Sequence, residues 1–411
     1  MGQNHNITQS ELSPIKKGIV GVQFLFVAFG SLVLVPLLIG FEPSSALLTA
    51  GVGTFLFHIV TKGKVPVFLG SSFAFVAPII LASKEWGMAG TIVGISGVAL
   101  VYFIMSALIK WKGITLLDRL FPPVVLGPII ILIGLSLSPD IVKMAQENWI
   151  LALISFATAV LVITFGKGLL KIMPIIIGIV VGYVVALSMG EVDWSNVYEA
   201  QWFALPTSVV NFQIPQFCWE PFLYMIPVAV APVVEHIGDI YAVGAVAGKD
   251  FVKDPGLHRT MLGDGLACLF ASLVGGPPVT TYSEVTGAMQ ITHVTQPQAI
   301  RIAAFFAIVF SVFGKLSAIL LTIPSSVLGG IMILLIGSIA ALGIQILINH
   351  KVDMRLSRNV VIVAATLTTG IGGAVLQFDS FSLGGIGLSA IIGVLLNLVL
   401  PKDFPNNDTK Q

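Results

Sequence analysis

The residues best placed to do chemistry are three acids in otherwise apolar stretches. Glu235 and Asp239 lie in Val230-Ala-Pro-Val-Val-Glu-His-Ile-Gly-Asp-Ile240, and Glu284 follows Thr280-Thr-Tyr-Ser283. A carboxylate at the centre of a bilayer costs at least about 2.5 to 3.5 kcal/mol on insertion scales, so each of these needs a reason to be there. Glu235 and Asp239, at i and i+4, share one helix face, and that face must look into a polar cavity. Two close carboxylates resist joint ionisation, so one of them can hold an exchangeable proton. The alternative for the pair is simple interhelical bonding to Ser or Thr. His236 points elsewhere around the same helix, and a structural hydrogen bond is the better account of it.

Glu284 sits in a stretch too rich in Ser, Thr and Gly for an uninterrupted membrane helix. Extended backbone there exposes N–H and C=O groups to a planar ligand with alternating donors and acceptors, and Glu284 adds a charged acceptor. A nucleobase has that shape. Phe73, in the related stretch Gly70-Ser-Ser-Phe-Ala-Phe-Val-Ala-Pro78, offers an aromatic surface from the other side, with plain packing as its alternative. Asp264 has Arg259 as its candidate partner, and Asp118 and Arg119 read as solvated.

These residues must be positioned by membrane-embedded elements. The 411 residues are 56% hydrophobic and 10% charged, against about a quarter charged in soluble domains. Apolar segments long enough for a core of about 30 Å recur at 18–40, 44–61, 65–83, 88–109, 115–138, 149–166, 169–189, 217–247, 257–275, 276–292, 298–318, 323–348, 359–376 and 383–400. That pattern predicts an all-α polytopic membrane protein with fourteen transmembrane segments, the third and tenth broken and partly extended. Basic residues support the count. Eighteen fall in the termini and in loops after even-numbered segments, and only Lys84, Lys143 and Lys315 in loops after odd-numbered ones, which places both termini in the cytoplasm. The stretch Gly190 to Pro215, with Trp194, Tyr198 and Trp202, reads as an external interfacial loop.

The two broken segments also match each other, Ser71 with Thr280, Ser72 with Thr281 and Phe73 with Tyr282. Further on, Phe121-Pro-Pro-Val-Val-Leu-Gly-Pro-Ile-Ile-Ile-Leu132 matches Ile323-Pro-Ser-Ser-Val-Leu-Gly-Gly-Ile-Met-Ile-Leu334. Two ordered matches imply a duplicated half of seven segments. An odd number forces the second copy to enter from the opposite side, giving a 7+7 inverted repeat with a site at the midplane where the broken segments meet.

Several classes are excluded or disfavoured. The formal net charge of +1 argues against nucleic acid. Cys218 and Cys268 match no metal-ligand spacing and are not expected to form a disulfide. No Walker loop, nucleophile elbow or His/Cys cluster supports ATP-driven transport or an enzyme, and neither a cofactor nor a metal is expected. Met1 to Leu12 is polar and does not read as a signal peptide.

The segments Leu69-Gly-Ser-Ser-Phe-Ala-Phe75, Trp202-Phe-Ala-Leu-Pro206, Glu235-His-Ile-Gly238, Lys253-Asp-Pro-Gly-Leu-His-Arg259, Thr280-Thr-Tyr282 and Lys351-Val-Asp353 resemble bacterial uracil permeases of the nucleobase/ascorbate transporter family, from about Gly18 to Leu400. The resemblance implies a core domain, 16–110 and 217–318, and a gate domain, 115–215 and 320–400. It also implies dimerisation through the gate domains and uptake of uracil with a proton across the bacterial cytoplasmic membrane. Carried over residue by residue, it makes Glu235 and Glu284 the carboxylates that bind the base, with backbone groups at Phe73 and Ser283 completing the contacts and Tyr282 lining the site. Asp239, Glu235 and Glu284 are then the proton-coupling candidates. The chain departs from the pattern at Asp239, where a uracil permease has histidine, and at Phe24, Val285, Met332 and Ile336. Glu284 favours a pyrimidine, with xanthine or another base as the alternative substrate and an uncoupled facilitator as the alternative mechanism.

Overall fold

The computed structural model describes residues 14–113, 120–168, 170–210, 216–377 and 382–401; Asp118 and Arg119 lie outside them. The chain is mostly helical. Among the described residues six helical stretches are long and apolar enough to cross a membrane, or seven if Pro297–Ser311 and Gly314–Leu321, bent by 82°, form one broken span. The apolar helices Trp149–Phe165, Pro174–Met189 and Gly385–Val399 are shorter, so fourteen crossings cannot be counted from uninterrupted helices alone.

The first half begins with α1 (Pro14–Ile39), α2 (Pro43–Val60), strand β1 (Leu69–Ser71) and α3 (Val76–Lys112). It continues with α4 (Pro123–Leu135), α5 (Ser138–Gln146), α6 (Trp149–Phe165) and α7 (Pro174–Met189). Helix starts follow local chemistry. Proline occupies the first turn of α2, α4 and α7, where its missing N–H costs nothing. Asn148 caps α6 by accepting from the backbone N–H groups of Ile150 and Leu151 at 3.1 and 3.3 Å. The sequence places a loop between the third and fourth segments; the structure puts the break at the single residue Gly87, φ 66° and ψ −176°, where two helices meet across a kink. Forty residues from Phe73 to Lys112 would reach about 60 Å if straight, twice the hydrocarbon core, so the break at Gly87 is required.

The second half contains α8 (Trp219–Val228), α9 (Val230–Ala247), α10 (Leu257–Leu273), β2 (Val279–Thr281), α11 (Ser283–Thr292), α12 (Pro297–Ser311) and α13 (Gly314–Leu321). After it come α14 (Ser325–Asn349), α15 (Ser357–Ile371), β3 (Val375–Gln377), β4 (Ser382–Gly384) and α16 (Gly385–Val399). The eleventh segment is thus not one helix. Its bend frees backbone groups that the stretch 202–204 satisfies: Ala204 N–H donates to Val312 O at 2.9 Å, and Gly314 N–H to Trp202 O at 3.1 Å. Glu42 ties the same loop to the start of α2 by accepting from the Thr207 backbone N–H at 2.9 Å and from its hydroxyl.

One large apolar cluster is built on α1, α2, α3, both strands β1 and β2, and α9 to α12. It reaches α14 through Leu328, Ile331, Met332 and Ile336, as well as single residues of α5, α6, α7 and α13 and the helix α8. A smaller one, with Val125, Ile129, Leu132, Ile362 and Ile386, joins α4, α15 and α16. Leu153 and Leu161 on α6 and Val180 and Val184 on α7 are each more than half exposed, so α6 and α7 carry an exposed apolar surface. The protein is a multi-pass membrane protein. Cys218 is exposed and free, and Cys268 is buried with its thiol donating to Val279 O at 3.1 Å.

Candidate functional site

Two stretches about two hundred residues apart in sequence meet at the centre of the larger cluster. β1 and β2 pair antiparallel, Leu69 opposite Thr281, Gly70 opposite Thr280 and Ser71 opposite Val279. The ladder is extended by Ser72 N–H to Pro278 O and Tyr282 N–H to Phe68 O, both 3.1 Å. All six strand residues are buried, so their polar backbone groups must be paired: the ladder takes those facing the other strand, and side chains take others, as where the Thr54 hydroxyl accepts from Leu69 N–H at 2.9 Å. Each strand then runs into a helix: the turn Phe73–Phe75 leads into α3, and Ser283 opens α11. The first N–H groups of such helices have no intrahelical acceptor, and here they flank the crossing.

Tyr282 fastens the crossing. Its hydroxyl donates to Ser71 O at 2.7 Å, and its ring packs 6.4 Å from that of Phe68. Gly70 makes this possible, because a Cβ there would stand 2.4 Å from Tyr282 Cζ.

The acids come from α9 and α11. Asp239 is buried and accepts two hydroxyl bonds of 2.5 Å, from Thr281 to Oδ2 and from Ser283 to Oδ1, so it clamps the junction between β2 and α11. Glu235, one turn earlier, is half-buried and lies within electrostatic range of Asp239 and Glu284. Ser283 and Glu284 are exposed although the strand before them is fully buried, and Phe73 is half-buried. Open space lies where a Cβ on Gly238 or Gly287 would stand. Glu235, Gly238, Ser283, Glu284 and Gly287 therefore border an accessible crevice, with Asp239 at its back. Such a surface offers carboxyl acceptors, unpaired helix N–H donors and an aromatic edge to one small planar polar molecule.

His236 faces away from this crevice and is fully buried. Its Nδ1 lies 2.8 Å from Asp264 Oδ2 and its Nε2 2.9 Å from the Thr260 hydroxyl. Asp264 thus pairs with His236 rather than with Arg259, because residue 264 lies on the side of α10 that packs against α9. Val285 is fully buried, as are Phe24 on α1 and Met332 on α14, and Ile336 is 5% exposed. Asp239 thus makes the bonds to Ser and Thr that the sequence offered as the alternative for the pair, and His236 makes the structural hydrogen bond expected of it; which hydroxyls Asp239 takes, and Asp264 as the partner of His236, were not anticipated from the sequence. The run of hydroxyl residues before Glu284 was the available signal for the first.

A cavity of about 600 Å³ lies elsewhere, between Glu42, Asp193, Gln201, Thr207 and Thr322. Beside it the backbone N–H and hydroxyl of Ser195 hold the exposed Asp193 carboxyl below the usual carboxylate range.

Comparison with known proteins follows the same residues. A family model described as "Permease family" matches residues 16–378, a span that includes the strand crossing and all three acids. The chain belongs to this permease family. It is 48% identical over 399 residues to a probable uracil permease of Haemophilus influenzae, covering 95% of each chain. It is 44% identical over 394 residues to the uracil permease of Bacillus caldolyticus, covering 93% of this chain and 91% of that one. Against the uracil permease of Escherichia coli K12 the identity is 37% over 402 residues, covering 95% and 92%. Among solved structures it is similar to SLC26A9, with TM-score 0.66 and 13% identity over 93% of this chain and 64% of that one. It is also similar to the transmembrane domain of the cyanobacterial bicarbonate transporter BicA, with TM-score 0.61 and 14% identity over 93% and 96%. These two likenesses concern the fold. Within the permease family, the chain is a transporter and not an enzyme.

Proposed function

We propose that the protein imports uracil together with a proton across the bacterial cytoplasmic membrane, using Glu235 and Glu284 as the carboxyls that meet the base. The observation that carries this reading is the crevice itself, where two accessible carboxyls and the N-terminus of α11 converge beside Phe73 and the buried Asp239. The three permeases compared above, similar over more than nine-tenths of the chain, are named for uracil, which supports the choice of base.

In this reading fourteen segments form a 7+7 inverted repeat, with both termini cytoplasmic. Core domain 16–110 and 217–318 carries the substrate, and gate domain 115–215 and 320–400 stays with a partner copy in a homodimer. A proton from outside neutralises one carboxyl of Glu235, Asp239 and Glu284. Uracil then binds through these acids and backbone groups at Phe73 and Ser283, with Tyr282 holding the crossing beneath it, and the core moves against the gate. Deprotonation on the inside releases the base. Each net positive charge carried inward gains about 2.3 kcal/mol per 100 mV of inside-negative potential.

Uptake of labelled uracil into proteoliposomes under an inward proton gradient tests this, comparing the intact protein with Glu284→Gln and Asp239→Asn. Accumulation that excess unlabelled uracil abolishes and Glu284→Gln removes is the expected result. Equilibration without accumulation would replace symport by facilitation, and accumulation of xanthine but not uracil would overturn the base.

A further inference from the structure

Behind β2, on the side away from the crevice, three polar atoms lack a partner. They are the Tyr102 hydroxyl on α3, Asp264 Oδ1 on α10 and the Thr280 hydroxyl on β2. Their residues are 0%, 0% and 2% exposed. The Tyr102 hydroxyl comes within reach of the Thr280 hydroxyl and lies near the Asp264 carboxyl, which the Thr281 backbone N–H also approaches, yet none of the three atoms closes a hydrogen bond of normal geometry. The other Asp264 oxygen is taken by His236, and the nearby Cys268 thiol is taken by Val279 O. Leaving one buried polar group unsatisfied costs about 1 to 3 kcal/mol, so three beside one another point to an occupant that bonds to all of them.

We propose that an ordered water molecule sits behind β2, donating to Asp264 Oδ1 and accepting from the Tyr102 and Thr280 hydroxyls, and that it fixes the position of β2 in the core. Three partners are the number a buried water ordinarily finds. The donor count fits, since a carboxyl oxygen can accept and two hydroxyls can donate. The consequence reaches the crevice through the chain. Thr280 precedes Thr281 and Ser283, the two residues clamped by Asp239, and then Glu284. Tyr102, Thr280 and Asp264 are thus positioning residues. The effect on substrate rests on the uracil reading; the water does not.

Infrared difference spectra of the intact purified protein in H₂¹⁶O and H₂¹⁸O test the water directly. A sharp isotope-sensitive O–H stretching band is expected, lost in Tyr102→Phe and in Thr280→Val and retained in Thr280→Ser, which restores the hydroxyl. Uracil should bind Tyr102→Phe about 5-fold more weakly than the intact protein, the loss expected for one hydrogen bond. An intact protein that binds no uracil but shows the band and its response to substitution would sink the uracil reading and leave the water standing. A band absent from the intact protein, or unchanged in both variants, would overturn the proposal. So would thermal stability that rises with sodium chloride but not choline chloride, since that would make the occupant a cation.

Discussion

The described residues contain two short antiparallel ribbons, and they differ in almost everything but their hydrogen bonding. β1–β2 joins residues 69–71 to 279–281, is buried throughout, and is followed at once by Ser283 and Glu284. β3–β4 joins residues 375–377 to 382–384, and Val375 and Leu376 are 58% and 50% exposed. The first is a contact between distant parts of the chain, buried in the protein, where every polar backbone group must find a partner. The second joins neighbouring stretches at the boundary between α15 and α16. A ribbon positions chemistry only when burial and long-range pairing leave its register no freedom.

The comparison can be broken at several points. The largest effect should come from the acids that the buried ribbon presents. Glu235→Gln is expected to weaken uracil binding by about 10- to 100-fold, as for loss of a hydrogen bond to a charged group, measured by titration calorimetry in detergent at fixed pH. An unchanged affinity would remove Glu235 from the site.

Next comes the ribbon itself. Gly70→Ala drives a methyl into the Tyr282 ring and should destabilise the protein by about 1 to 3 kcal/mol while weakening binding. The matching change in the other ribbon, Gly384→Ala, places its Cβ 2.9 Å from Cγ2 of the exposed Val375, a methyl that can move aside, and 3.2 Å from Ala374 O, which must give by a few tenths of an ångström at an exposed ribbon. Its melting temperature should stay close to that of the intact protein. Equal losses in the two variants would mean that the ribbons are equally constrained.

The smallest effect belongs to a surface acid near neither ribbon. Asp353, partly exposed in the turn before α15, accepts from Arg355 Nε and Nη2, both at 3.0 Å, which holds its carboxyl below the ordinary carboxylate range. A depressed folded-state pKa gives stability above the unfolded value that is lost as pH falls through the folded one, so any contribution of Asp353 disappears in acid. Asp353→Asn should therefore shift the melting temperature slightly at pH 7 and not at pH 2. A large shift at neutral pH would show that this pair does more than decorate the surface.

Much of this was legible in the sequence because the membrane makes composition informative. An acid inside an apolar run is costly, so Glu235, Asp239 and Glu284 stood out, and the same penalty predicts that they lie against a polar space. Gly, Ser and Thr in the third and tenth segments marked the breaks. Helix continuity was less legible at the bend between α12 and α13, which depends on the backbone groups that a distant loop satisfies. The partner of Asp264 was misjudged for a related reason. Arg259 is close along the chain and opposite in charge, but the packing of α9 on α10 brings His236 to 2.8 Å.

By itself, then, the sequence determined that the chain is embedded in a membrane, where its broken segments fall and which acids are out of place, because transfer free energies act residue by residue. Only the tertiary structure decided that β1 pairs with β2 in one register, that Asp239 spends both oxygens on Thr281 and Ser283, and that Glu284 is left facing open space. Those outcomes depend on the direction of single hydrogen bonds between elements far apart in the chain, and no local pattern of residue types fixes a direction.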